Sequence, residues 1–183
     1  DKVSNYLRTT KYGFNIPAGA TINGIQVTVS KYSTNFFSAI GIRDNDFRLV
    51  KNNVITGANR SLNTDWPSSN TPVSYGGAAD LWGATWTPAD INNDNFGIAM
   101  SVYNNTIFGI GYTAYVDYTQ ITITYTIPGS LNWYTVSSNG TSIGSGSPFN
   151  PVGVPGSTLA NTNSPGTYTF YAECSTVPGC RTP

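Results

Sequence analysis

Apolar residues recur at every second position over much of this chain, and no window of helical length carries the i, i+3, i+4, i+7 spacing of an amphipathic helix. A chain patterned this way folds into strands with one buried and one wet face. The run Ile22, Gly24, Ile25, Val27 and Val29 reads as a strand introduced by the turn Pro17, Ala18, Gly19. Further strands are expected at Ile40 to Ile42, Phe47 to Lys51, Thr71 to Tyr75, Phe96 to Tyr103 and Tyr112 to Ile127. In the last, Ile121, Ile123 and Tyr125 share one face while Thr122 and Thr124 take the other. One helical turn is expected at Thr87 to Ile91, with Thr87 as N-cap, Pro88 at the first helical position and Asp90 at the third. Pro128, Gly129 and Ser130 then interrupt the pattern, and the apolar runs beyond them are shorter, at Leu131 to Val136 and Thr167 to Ala172. The expected organisation is an all-β chain of two modules, 1–127 and 128–183, each an antiparallel sandwich.

Composition narrows the function classes. Nine basic residues balance nine acidic ones and only 10% of residues are charged, so there is no field to hold a phosphate backbone or an anionic membrane. Nucleic acid is excluded as an expected partner. So is membrane insertion, because no stretch approaches the roughly 20 apolar residues a spanning helix needs. Tyr, Thr, Asn, Ser and Gly stand where cytosolic proteins carry Lys and Glu, which is the usage of secreted β proteins. The chain does not begin with Met and a signal region, so a processed or cropped extracellular protein is expected. Cys174 and Cys180 flank the turn sequence Thr176, Val177, Pro178, Gly179, and a disulfide between them is expected. Zinc ligation lacks the further ligands it would need, since the chain has no His and no second Cys pair.

Several residues are candidates for chemistry. Asp44 and Asp46, two apart, would share a strand face and supply the paired carboxylates of a glycosidase or a calcium site, and calcium is the only cofactor the pattern suggests. Flanked by Arg43 and Arg48, the same residues read as an Asn-centred turn with surface ion pairs. Asp90 and Asp94 lie in an oxygen-rich stretch without the glycine and terminal Glu of a calcium loop. Strict alternation places Asp117 on the inward face with Ile121 and Ile123, as a buried structural acid held by a partner or turned out by a bulge. Trp66, Trp82 and Trp86 are candidate sugar platforms, or packing beneath the loop that holds Gly76 and Gly77. Tyr32, Phe36 and Phe37 sit in a polar stretch and are the candidate partner contact. The sequons at Asn59, Asn104 and Asn139 are no more than an Asn- and Thr-rich chain produces, and the SIGSGSP run lacks the Lys and helix of a phosphate cradle. With Glu173 as the one glutamate and no His, no general base or activated nucleophile is recognisable, and no enzyme is expected.

The strings SNYLRTTKYGFNIPAGATINGIQVTV, DFRLVKNN, SYGGAADLWGATWTPADINNDNFGIAMSV and YVDYTQITITYT, spanning residues 4 to 126, resemble a jelly-roll-like β-sandwich module of secreted bacterial and phage-associated proteins. The stretch from LNWYTV to CRTP is similar to an Ig-like repeat of the large surface proteins of gliding bacteria. That resemblance implies export by the type nine secretion system and duties in cell-surface adhesion or gliding motility. It also implies further strands before SNYL and after CRTP, supplied by other domains of one long chain or by neighbouring copies through strand pairing into an extracellular filament. The expectation is a structural or adhesive segment, with a carbohydrate-binding module as the alternative, since sandwiches host both.

Overall fold

The computed structural model describes residues 3–34, 41–105, 111–176 and 179–183. They divide into two units, Asp1–Thr126 and Ile127–Pro183, and every strand pair is antiparallel.

The first unit is a sandwich of two sheets. Strands β1 (Leu7–Thr10), β2 (Thr21–Ser33), β3 (Ile42–Lys51), β4 (Val54–Thr56), β5 (Thr71–Gly77), β6 (Gly97–Asn104) and β7 (Ala114–Thr126) form one sheet in the order β1-β6-β3-β4 and another in the order β5-β2-β7. The turn expected before β2 is present, with the Ala20 amide donating to the Pro17 carbonyl at 2.9 Å. Alternation then sends Ile25, Val27 and Val29 inward, all at 0% exposure, against Ile121 and Ile123 of β7 in register. From the facing sheet come Phe47, Leu49, Ile98 and Met100, all at 2% exposure or less.

The helical turn α1 (Pro88–Ile91) forms as expected. Thr87 Oγ1 accepts from the Asp90 amide while the Asp90 carboxylate accepts from the Thr87 amide, so two donors that the helix start would orphan are satisfied reciprocally. Burial of Ile91 at 1% fixes the turn to the core.

The second unit is a four-stranded sheet. Strands β8 (Leu131–Tyr134), β9 (Gly144–Ser145), β10 (Tyr171–Cys174) and β11 (Arg181–Thr182) lie in the order β11-β10-β8-β9. The strand expected at Thr167 to Ala172 is displaced toward the C-terminus, because Tyr171 to Cys174 are the residues that register with Tyr134 to Leu131. Trp133 stacks on Phe149 at 5.7 Å, and the Arg181 guanidinium lies 3.3 Å from the Tyr134 ring centre.

Candidate functional site

Two places in the first unit gather polar side chains. One is interior. Lys31 continues the inward series of Val27 and Val29 on β2 and is 2% exposed, and Asp44 comes from β3 in the facing sheet at 8%. The Lys31 ammonium donates to Asp44 Oδ1 at 2.7 Å, and Trp66 Nε1 donates to the same oxygen at 2.8 Å. Asp44 Oδ2 accepts from the Tyr75 hydroxyl at 2.8 Å and from the Leu62 amide at 3.0 Å. Lys31 also lies 4.4 Å from the Trp66 ring centre. Burial pulls the Lys31 ammonium below its ordinary value, opposed by the Asp44 charge and hydrogen bond. Burial, with the adjacent Asp44 charge, raises the Tyr75 hydroxyl far above its own. With four donors on one carboxylate, Asp44 has no lone pair left for a substrate or metal; the cluster joins the two sheets.

The other place is the outward face of the β5-β2-β7 sheet. Tyr115 and Tyr118 stand three apart, a spacing that puts two residues on opposite faces of a regular strand. Here the register steps from Ser30↔Tyr118 to Lys31↔Val116, so Asp117 is the extra residue of a bulge. Both tyrosines consequently face outward, opposite Tyr32 and Ser30, at 41% and 44% exposure. The Tyr32 and Tyr115 rings stack with centres 4.6 Å apart and planes 8° from parallel. Beside them Ser30 Oγ donates to Asn70 Oδ1 at 2.6 Å, and Asn70 Nδ2 donates to Asp117 Oδ2 at 3.0 Å. Gln26, Thr28, Pro72, Ser74, Gln120, Thr122 and Thr124 also take outward positions.

No family model, no curated protein and no solved structure matches the chain.

Measured against the two polar places, the sequence candidates divide. Asp44 and Asp46 neither share a face nor sit in a turn: they lie within β3, whose register with β6 skips Asn45, so Asp44 points inward and Asp46 outward. Asp46 accepts from Arg48 Nε at 2.8 Å and from the Tyr6 hydroxyl at 2.6 Å. No group of three or more His, Cys, Asp or Glu suited to a metal occurs among the described residues. Asp117 is exposed, not inward, because the bulge turns it out. Trp66, Trp82 and Trp86 are 3%, 0% and 7% exposed, which removes them as sugar platforms. The packing reading accounts for Trp82, whose Nε1 donates to the Ile25 carbonyl at 2.8 Å. Gly76, at φ +68°, is the residue that lets the indole approach: a Cβ there would stand 2.6 Å from Trp82 Nε1.

No disulfide joins Cys174 and Cys180. The β10–β11 pairing stops at Glu173↔Arg181, and the Cys174 sulfur is directed at Thr176 Oγ1, 3.0 Å away, and at Gly129, where a Cβ would fall 2.6 Å from it. Phe36 and Phe37 lie outside the described residues. The sequon residue Asn59 is committed to the fold, its Oδ1 accepting from the Phe47 and Ser61 amides.

Lys31 was missed as a site residue. The signal was present, since positions 27, 29 and 31 fall on one face and Trp66 and Tyr75 bring polar tips that require partners when buried. Tyr115 and Tyr118 were missed because period-two alternation separates them.

Proposed function

We propose that this chain is a structural and adhesive, non-catalytic segment of a secreted bacterial surface protein, exported by the type nine system and carried among other β modules on the cell surface. The observation that carries the reading is where the uncommitted groups lie. Six carboxylates are spent in ion pairs with Lys31, Arg43, Arg48, Lys51, Arg60 and Arg181, and the buried one is saturated. Among the described residues, the tyrosines, amides and hydroxyls of the outward sheet face form a cluster left for a partner, and they suit contact with a surface better than bond-breaking. Strand pairing with a neighbouring module would use the outer edge of β7, which among the described residues has β2 as its one partner in the sheet. No cofactor enters this reading.

Beads coated with the chain and held under flow on glass and on hydrated polysaccharide gels test it. Retention above that of beads coated with an unrelated β-sandwich, and its loss on adding soluble chain, is the expected result. Equal retention of the two bead types would sink the adhesive reading.

A further inference from the structure

We infer that the bulged face of the β5-β2-β7 sheet binds an uncharged polysaccharide, with Tyr115 and Tyr118 as stacking platforms and Asp117 as the hydroxyl acceptor between them; this rests on the adhesive reading and names its ligand class. The argument begins with the bulge. A bulge costs ladder hydrogen bonds and local regularity, and this one sits within the longest pairing of the unit, β2 with β7. Its effect is to bring two tyrosines onto one wet face where an unbroken strand would bury one of them.

The face is also preorganised. Tyr115 is held by its parallel contact with Tyr32 at 4.6 Å. Asp117 is held through Oδ2 by Asn70 at 3.0 Å, and Asn70 is anchored in turn by Ser30, itself 3% exposed. Asp117 is exposed and the Asn70 hydrogen bond is on Oδ2, which leaves Oδ1 as an acceptor. Side chains locked in this way lose little entropy on binding.

The chemistry of the face selects the partner. It carries no Lys or Arg, which disfavours an anionic polymer that needs cations to replace its counterions. Its outward positions hold one aliphatic side chain, the Pro72 ring opposite Ser30, which is far less apolar surface than the centre of a protein interface carries. Flat aromatic rings beside fixed amide, hydroxyl and carboxylate groups match a ligand that presents C–H faces and many neutral hydroxyls. A neutral glycan chain has that character.

Affinity electrophoresis of the full chain through gels containing hydroxyethylcellulose, galactomannan, laminarin or dextran tests the inference, with alginate and heparin as charged controls. Retardation by at least one neutral polymer is expected, weakened about tenfold by Tyr118→Ala and by Tyr115→Ala. Asp117→Asn should weaken it less, and Tyr125→Ala, which removes an exposed tyrosine on the other face of the same strand, should leave it unchanged. Thermal melts confirm that each variant folds. Retardation by no neutral polymer, by the charged ones alone, or undiminished in Tyr118→Ala overturns the proposal. If Tyr118→Ala beads still hold under flow while the gels show no retardation, the glycan face fails and the adhesive reading stands.

Discussion

The two units solve the problem of cohesion differently. In the first, Trp82, Phe47 and Phe96 are at 0–1% exposure between facing sheets, and the one charged pair in the interior is sealed by a tyrosine and a tryptophan. In the second, Tyr134 is the only buried apolar side chain among the described residues. Its sheet relies instead on polar ties made by one side chain: Arg181 lies over Tyr134, pairs with the buried Glu173 at 2.7 Å and donates to the Val136 carbonyl at 3.1 Å. A closed sandwich gains stability from area removed from water, whereas a sheet with little interior depends on a few residues that reach across it.

The sharpest way to break this contrast is Asp44→Ala, which strands the Lys31 ammonium in the core. We expect a loss of about 3–5 kcal/mol from the first unit in urea titration, with most of it recovered in the Lys31→Met/Asp44→Leu double variant. A cost near zero would mean that water reaches Lys31 and the core is not sealed. Next comes Arg181→Ala, expected to cost the second unit about 1–2 kcal/mol and to speed amide exchange in β8 and β10 while β2 and β7 keep their protection. Unchanged exchange in β8 would show that the second sheet holds together without its arginine. Thr87→Ala removes the capping box and should cost about 1 kcal/mol, with the faster exchange confined to residues 88–92.

A smaller effect is expected from acid, and it touches both units. Arg60 holds Asp80, and Arg181 holds Glu173, below the usual carboxylate range through their hydrogen bonds. Below about pH 4 the unfolded chain takes up protons before the folded one does, so the stability these pairs supply above that range is lost as pH falls. Urea midpoints should drop between about pH 6 and about pH 3 for both units; a flat midpoint for the second would discount the Arg181–Glu173 pair. Smallest of all, Tyr118→Ala should shift stability by no more than about 0.5 kcal/mol, since its ring serves the outward face.

What could be read from the residues was whatever a regular period governs. The core stripe of β2, the inward Ile121 and Ile123, and the capped turn at Thr87 all follow from spacing and local chemistry. The misplaced acids lie at two of the unit's three register shifts. At Asn45 a single skipped residue sends Asp44 and Asp46 to opposite faces, and at Asp117 another exposes an acid that alternation had buried. A bulge is set by what must pack on either side of it, and that information lies in other strands. The same holds for Cys174, whose sulfur is positioned by Gly129 and Thr176 and not by the turn that precedes Cys180.

The pairing of Thr21 with Thr126 has a kinetic consequence. β2 finds no partner nearby in the chain: β5 begins at Thr71, and the β7 residues that register with its first half come later still. Contacts of such high sequence separation fold slowly, because the closure entropy of a long loop is spent before any ladder forms. β2 can gain β5 first, but its longer ladder, the one with β7, waits for the last strand of the unit.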